Sequence, residues 1–434
     1  MQRFFAFASY KTNYRRELVA GMTTFLTMAY IMIVNPAILE AAGIPKGPST
    51  TATILSAAFG TLVMGFYARR PFAIAPYMGE NAFIAFTVVK VLGFSWQIAL
   101  GAIFVAGILF TVLTLLRVRG WMANAIPLSL KYSFAVGIGL FLTFIGLNET
   151  GLVTLGVKDA PVSLGAITEP PALLAIGGFL LIVWLMVKGV RGAILIGILT
   201  VTLLSYFFGL VQAPHSIIAL PPNPAPILCQ LDILGALTPK ALPVVIIIFV
   251  MAFVDTVGTL VGLSSRAGLL DERGNLPEIE KPMLADALAN LIAPVLGTTT
   301  SGVYIESAAG IEAGGRTGFT ALVTAALFLL SLFLVPVFTV VPPHAYGIAL
   351  IVVGMLMIAP IAKIDFTDYT ESIPAFLTIV LISFTYNIGV GITAGLLMYP
   401  ILKALTGRVR EVTLPMWLMA AMALTFYLVY PHRH

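Results

Sequence analysis

Long apolar runs follow one another through most of this chain, and they constrain its fold more than any other feature. The clearest runs are Thr51–Phe66, Ile98–Leu116, Leu173–Val187, Ala193–Leu210, Val244–Leu263 and Ala321–Val340. Most are near the roughly 20 residues that a helix needs to cross about 30 Å of hydrocarbon, and they lack the alternation of barrel strands. With 59% hydrophobic and 10% charged residues among 434, a soluble globular domain is excluded. The sequence therefore predicts an all-α, multi-pass membrane protein.

Basic residues lie at the ends of the apolar runs and set the predicted orientation. With Lys11, Arg15 and Arg16 in the cytoplasm, the later basic clusters, such as Arg117 and Arg119 after span 4, also fall at cytoplasmic span ends. This threading gives about fourteen spans in the cell membrane, with a cytoplasmic N-terminus. Because loop residues explain the net charge of +5, we expect membrane lipid as a partner and no nucleic acid.

The two halves of the chain resemble each other. The segment that follows Asn81 is echoed about 225 residues later by the segment that follows Glu306. Seven spans in each copy is an odd number, so the second copy is predicted to be inverted in the membrane. We place the first repeat at 13–212, the second at 240–408, and an extra hydrophobic segment of open topology at 414–431.

Spans 3 and 10 hold equivalent places in the two repeats, and both are interrupted by residues that disfavour helix. The interruptions, rich in Pro, Gly and Thr, lie in Arg70–Asn81 and Gly297–Ser307. Since Pro removes a backbone donor and Thr favours extended backbone, each segment is predicted to enter as a short strand and to become helical near Asn81 or Glu306. Irregular backbone at membrane depth lines a cavity or is buried in protein, and a matched pair indicates a binding site near the bilayer midplane.

Polar and aromatic residues in these segments are the candidate substrate ligands. Glu306 offers two carboxylate oxygens to a pair of N–H donors, with a helix cap or a tie between spans as the alternative. Asn81 lies at the start of the other half-helix, where backbone N–H groups are free. Tyr77 and Tyr304 have the shape to stack on a planar ligand, although aromatic residues in membrane helices more often serve packing.

Carboxylates inside the membrane are the candidates for proton coupling. Asp255 lies within an apolar run that has no basic residue, and a buried carboxylate without a cation tends to bind a proton. We expect it to bind substrate, to couple protons, or both; the alternative is a structural Asp bonded to a neighbouring Thr. Asp286 is either a coupling residue or an interfacial carboxylate, and Glu80 either titrates, contacts substrate or ties spans together. Glu306 completes this set.

The remaining chemistry-bearing residues exclude other function classes. The chain has one cysteine, Cys229, and its four histidines lie in loops and termini without metal-ligand spacing. No Ser/His pair or aspartyl dyad lies inside a span, which argues against an intramembrane enzyme. We therefore expect no cofactor and no metal, with a proton as the coupling ion and sodium as the open alternative.

At these positions the chain resembles the AzgA-type purine permeases of the nucleobase-cation symporter superfamily. The resemblance runs from about Asn13 to Arg408 and is carried by Glu17–Ile31, Val34–Pro36, Asp255–Leu260, Tyr304–Ile311 and Gly314–Gly318.

This resemblance implies the fold of the uracil permeases, with a core domain of spans 1–4 and 8–11 and a gate domain of the other spans. In this chain the core corresponds to 17–120 plus 242–340 and the gate to 126–212 plus 344–405. It also implies proton symport of hypoxanthine or guanine, with adenine and xanthine as further candidates. A homodimer is left open.

By motif, the family's substrate-contacting positions fall on Asn81, Asp255 and Glu306. Similar proteins usually have Ala-Pro-Gly-Met-Gly-Leu-Asn-Ala-Phe in span 3, whereas this chain has Tyr77 for a Gly and Glu80 for the Leu. Both differences adjoin the site and bear on base specificity and coupling stoichiometry. The alternative function is an anion carrier of the same general fold, for sulfate or bicarbonate, which site carboxylates disfavour because they repel anions.

Overall fold

The computed structural model describes residues 2–116, 126–157, 160–269 and 276–429, and helices make up most of these ranges. In the first half the elements are α1 (Tyr14–Met28), α2 (Ile31–Ala41), α3 (Lys46–Val63), β1 (Ile74–Pro76), α4 (Met78–Ala82), α5 (Trp96–Leu115), α6 (Leu128–Glu149), β2 (Val153–Val157), β3 (Ala160–Leu164), α7 (Pro170–Val187) and α8 (Ala193–Phe207). A π-helical segment, Phe83–Val91, continues α4. The predicted span-end residues Arg117 and Arg119 lie outside the described ranges.

The second half continues in the same manner. Its elements are α9 (Ile233–Ala236), α10 (Leu242–Arg266), α11 (Glu280–Leu296), β4 (Ser301–Val303), α12 (Ser307–Glu312), α13 (Gly318–Ser331), α14 (Val335–Thr339), α15 (Pro343–Ile358), α16 (Tyr369–Phe384), α17 (Ile388–Leu405) and α18 (Leu414–Val429). In the described ranges nine helices are long and apolar enough to cross a membrane, alongside shorter apolar helices of 10–17 residues. The prediction of a multi-pass helical membrane protein is confirmed.

The predicted interruptions of spans 3 and 10 are confirmed as two short strands. β1 and β4 pair antiparallel, with Ile74 opposite Val303 and Pro76 opposite Ser301. Both strands are fully buried, and each is followed within a few residues by a short helix. The strand pair therefore joins the two halves of the chain at the place where both broken spans change from strand to helix.

Polar side chains from α3 and α12 satisfy the outer edge of β1, as backbone inside a membrane requires. The hydroxyl of Thr61 accepts from the Ile74 N–H at 2.9 Å and donates to the Ile74 carbonyl at 3.0 Å. The Ala73 N–H donates to the Ser307 hydroxyl at 3.0 Å. These side-chain hydrogen bonds take the place of a third strand at the edge of β1.

Glu17, part of the resemblance motif in α1, fixes the start of α13. Its fully buried carboxylate accepts from the Arg316 N–H at 3.1 Å and from the hydroxyls of Thr317 and Thr320 at 2.9 and 2.6 Å. A carboxylate at a helix N-terminus satisfies free N–H groups and complements the helix dipole. This contact ties the first span of one half to the second half.

An ion-pair cluster lies at the end of α17 and in the segment after it. Lys403, whose side chain is fully buried, pairs with Glu371 at 2.8 Å and Glu411 at 2.9 Å, while Arg408 pairs with Asp368 at 2.7 Å and with Glu411. Hydrogen bonds from Arg408, then from Lys403, lower the pKa of Glu411 to about 2. Of the C-terminal segment predicted at 414–431, the described part, Leu414–Val429, forms α18 and packs against α17 and α10. The division into core and gate domains stays a prediction.

Candidate functional site

The two half-helices start at opposite ends of the paired strands. The Tyr77 N–H donates to the Thr300 carbonyl at 2.9 Å, and the Tyr304 N–H donates to the Ala73 carbonyl at 2.9 Å. α4 begins directly after Tyr77, and α12 begins directly after Glu306. Free N–H groups and the positive dipole end of each helix therefore lie beside the strand pair.

Glu306 occupies the N-cap position of α12, but its side chain makes no capping hydrogen bond. Its Oε1 instead accepts from the Tyr30 hydroxyl at 2.5 Å. The helix-cap alternative is therefore wrong, and a tie to the α1–α2 junction is observed. Glu306 is partly buried, and a carboxylate that accepts one hydroxyl keeps further acceptor positions for N–H groups.

Asn81 lies in the first turns of α4 and is fully buried. Its Nδ2 donates to Asn35 Oδ1 at 2.6 Å, while its own Oδ1 has no hydrogen-bond partner among the described residues. A buried carbonyl oxygen without a donor is costly. The arrangement leaves this acceptor for a ligand N–H group.

Asn35, which the sequence analysis did not single out, orients the Asn81 amide. Its Nδ2 donates to the hydroxyls of Thr53 at 2.7 Å and Thr298 at 2.9 Å, and its Oδ1 also accepts from Thr299 at 3.4 Å. With both donors and both acceptor positions used, Asn35 has one amide orientation. The feature that could have identified Asn35 in the sequence is its position as a polar residue before Pro36 inside an apolar run.

The rings of Tyr77 and Tyr304 are parallel, with centroids 6.5 Å apart and planes within 16°. The Tyr304 hydroxyl donates to the Pro76 carbonyl at 2.8 Å, and the Tyr77 hydroxyl lies 3.4 Å from the Thr256 hydroxyl. The Tyr77 ring lies directly over Gly302, where a Cβ atom would overlap it. Both rings are thus held at fixed positions along β4.

Asp286 and Asn290 on α11 satisfy the outer edge of β4. Asp286 Oδ1 accepts from the Val303 N–H at 2.9 Å, and Asn290 Oδ1 accepts from the Ser301 N–H at 3.1 Å. Asp286 and Asn290 are four residues apart and lie on one face of α11, and the N–H groups of Ser301 and Val303, two residues apart, point to one edge of β4. Each side chain can therefore reach one of these N–H groups. Asp286 is fully buried; its interpretations as an interfacial carboxylate and as a coupling residue both stay predictions.

Asp255 lies in the middle of α10 and is partly exposed. The Thr256 hydroxyl lies 2.7 Å from the Ala252 carbonyl and 2.8 Å from Asp286, so its hydrogen is shared by these acceptors and not by Asp255. The alternative of a structural bond from Asp255 to Thr259 stays a prediction. Asp286 on α11 is close enough to act on the charge of the Asp255 carboxylate. Two acidic groups therefore lie near each other where α10 passes the strand pair.

Accessible residues continue from Asp255 along one face of α10. Gly258, Thr259 and Gly262 follow at helical spacing and are exposed or partly exposed. Among the described residues, a Cβ atom at either glycine would meet nothing within 4 Å. Small and polar residues rather than large apolar ones form this face, which runs from Asp255 towards Arg266 at the end of α10. We interpret this face as one wall of a polar cleft.

Glu80 is fully buried next to Asn81. Neither of its carboxylate oxygens has a hydrogen-bond partner among the described residues. The prediction that Glu80 ties two spans together through a hydrogen bond is therefore wrong for the described part of the chain. The structure brings the strand pair, both half-helix starts and α10 together, and every predicted site residue lies on these elements or on α11.

A solved structure with the same architecture is the transmembrane domain of the cyanobacterium bicarbonate transporter BicA. It aligns with a TM-score of 0.64 at 17% sequence identity and covers 88% of this chain and 97% of that one. Identity this low shows the fold alone. The predicted fold class is confirmed by this match.

Sequence relatives give a closer relationship. Adenine permease AdeQ of Escherichia coli (strain K12) is 40% identical over 422 residues, which are 97% of this chain and 95% of the relative. Guanine/hypoxanthine permease PbuG of Bacillus subtilis (strain 168) is 41% identical over 423 residues, 95% of this chain and 96% of the relative. The profile of a family described as "Permease family" matches residues 15–394. The chain therefore belongs to this permease family.

Proposed function

We propose that this protein imports purine nucleobases across the cell membrane by proton symport. Relatives named for adenine and for guanine/hypoxanthine have nearly equal identity to the chain, at 40% and 41%. The substrate class that they share is a neutral, planar purine.

The observation that carries the proposal is the parallel tyrosine pair near two acceptors, the Glu306 carboxylate and the unpaired Asn81 carbonyl. The rings of Tyr77 and Tyr304 lie parallel with centroids 6.5 Å apart, which is within the range of directly paired aromatic rings. A planar base would stack between them once they separate enough to give two carbon contacts of roughly 3.5–4.0 Å. Glu306 and the Asn81 carbonyl then offer acceptors to the N–H groups on the edge of the base.

In this mechanism the carboxylates of the site bind and release the coupled proton. Asp255 is partly exposed, lies near Asp286 and is at the inner end of the polar cleft along α10. With the N-terminus in the cytoplasm, Arg266 marks the cytoplasmic end of this cleft, so protons and base leave the site along it. Movement of the core domain against the gate domain would expose the same site to the outside.

The anion-carrier alternative draws on the fold shared with a bicarbonate transporter. The acidic side chains at the site, Asp255 and Glu306 foremost, repel an anion at the strand pair unless both are protonated. A neutral base with N–H donors does not meet this repulsion. The chemistry of the site therefore favours a nucleobase.

The test is uptake of radiolabelled hypoxanthine, guanine, adenine and uracil into cells that lack their own purine carriers. We expect accumulation of at least one purine, and its collapse when a protonophore is added. Glu306→Gln, which keeps the size of the side chain, should abolish uptake at an unchanged membrane level, whereas Glu312→Gln, at an exposed ion pair with Arg266, should not. Failure of all four bases in cells that contain the protein would overturn the proposal.

A further inference from the structure

Glu80 is a carboxyl group that the proposed binding of a base does not use. It lies at the third position of α4, is fully buried, and has no hydrogen-bond partner for either oxygen among the described residues. The neighbouring polar side chain in this turn, Asn81, donates its amide N–H to Asn35. The half-helix therefore carries two adjacent polar side chains with different surroundings.

The usual partner of a carboxylate at this helix position is already occupied. In a capping box, a Glu at the third position accepts from the backbone N–H of the N-cap residue. Here the N-cap residue is Tyr77, and its N–H donates to the Thr300 carbonyl at 2.9 Å as part of the strand pairing. The pairing of the two broken spans thus leaves Glu80 without that donor.

The groups that face Glu80 do not compensate for its charge. The charged groups that act on it are Asp255 on α10 and then Asp286 on α11, both acidic. The rings of Tyr77 and Tyr304 are the other titratable neighbours. α2 and α6 also pack against α4; α2 contributes the amide of Asn35 that binds Asn81, and α6 contributes apolar groups such as Ile138, which lies against Gly79.

An ionised carboxylate in these surroundings is unfavourable. Burial without a cation or donor disfavours the charged form, and two nearby carboxylates disfavour it further. The positive end of the α4 dipole acts in the opposite direction, but its effect is small compared with the loss of hydration. The neutral, protonated form of Glu80 is therefore favoured whenever Asp255 is ionised.

We propose that Glu80 is a second proton-binding carboxyl of the transport site, so that each base moves with one proton more than a site with Asp255 alone would carry. This inference rests on the proposed function of purine:proton symport. Asp255 is partly exposed to the polar cleft, so it connects the buried Glu80 to water. For each base, both carboxyls take up a proton on one side of the membrane and both release it on the other, and repulsion between them makes the second proton the more weakly bound of the two.

The test measures the steady-state accumulation of a purine in proteoliposomes under an imposed proton-motive force. For a neutral base, each coupled proton gives about tenfold accumulation for every 59 mV. At 59 mV, a second proton therefore predicts about 100-fold accumulation by the wild type and about tenfold by Glu80→Gln. Glu312→Gln, which alters an exposed carboxylate, should match the wild type.

The outcomes separate the two proposals. A wild type that transports no purine overturns the proposed function. A wild type that accumulates purine only about tenfold at 59 mV, or the same ratio as Glu80→Gln, overturns the role of Glu80 alone. If Glu80→Gln folds but does not transport, infrared spectroscopy of the purified proteins decides: we expect a band from an un-ionised carboxyl in the wild type that Glu80→Gln lacks, and its absence from the wild type overturns the inference.

Discussion

Gly302 gives a direct test of the tyrosine pair as the base-binding element. Its backbone φ is ordinary, so Gly302→Ala introduces no backbone strain, but the new Cβ would come within 3.0 Å of the Tyr77 ring. The three atoms nearest to the new Cβ all belong to that ring and its hydroxyl group. The ring is packed in the protein interior, with 7% of the residue exposed. The ring must therefore leave its position over β4, and its contact with the Thr256 hydroxyl and its alignment with Tyr304 are lost.

The magnitude follows from the size of this overlap. Forcing an extra methyl group into a packed site costs about 1–3 kcal/mol. If the cost falls on the state that binds the base, it corresponds to about a 5- to 150-fold loss of affinity. Binding of a radiolabelled purine to the purified protein measures this loss, and the thermal unfolding midpoint shows whether the variant still folds.

A double variant decides whether the Tyr77 ring transmits the effect. In a Tyr77→Gly background there is no ring to displace, so adding Gly302→Ala should change the affinity by much less than it does in the wild type. This coupling between the two sites should account for most of the about 1–3 kcal/mol. Wild-type affinity for Gly302→Ala, or an equal loss in both backgrounds, would refute the assignment of the ring pair as the binding slot.

Three further predictions follow from other contacts. Asn35→Ala should lower purine affinity about tenfold, since removing one hydrogen bond to a buried amide costs about 1–3 kcal/mol and frees Asn81 to rotate; the same binding assay measures it. Gly262→Cys, in a Cys229→Ser background, should react with a polar thiol reagent from the cytoplasmic side and be protected by purine. Because hydrogen bonds lower the pKa of Glu411 from 4.5 to about 2, its contribution to stability is complete above pH 4.5 and is lost as the pH falls towards 2; the difference in unfolding midpoint between the wild type and Glu411→Gln should therefore shrink over that window.

Each of these predictions has a result that would contradict it. Wild-type affinity in Asn35→Ala would remove its positioning role. Labelling of Leu260→Cys, which is fully buried in the same helix, as fast as Gly262→Cys would argue against a specific cleft along α10. A difference between the wild type and Glu411→Gln that does not change below pH 4.5 would contradict the ion-pair contribution.

The features that could be predicted from the sequence are those with a local physical cause. The breakers before Asn81 and Glu306 predicted strands that turn into helices, and β1 and β4 confirm them. The apolar surroundings of Asp255 marked it without knowledge of its neighbours. These inferences needed only the chemistry of one segment at a time.

The features that were missed depend on which segments meet. A polar residue in an apolar run is equally suited to bind a ligand or another helix, and only the packing distinguishes them. Asp286 was predicted as a coupling or interfacial group, yet it accepts from the Val303 N–H of β4. Asn35 and Tyr30 were not singled out, although they hold Asn81 and Glu306. The role of each residue depends on which helix packs opposite it. The sequence around the residue does not indicate which helix that is.

The strand pair also has a consequence for how the protein is made. The Tyr304 hydroxyl and the Pro76 carbonyl that it binds are 228 residues apart in the chain, and β1 has its strand partner in the same distant segment. When the ribosome has released the first half, β1 therefore has unpaired backbone groups in or near the bilayer, which is unfavourable there. The first half must wait in a partly closed or shielded form until synthesis delivers β4. Assembly of the site is thus among the last steps of biogenesis, and a chain truncated before β4 would be expected to be recognised as unfinished and degraded.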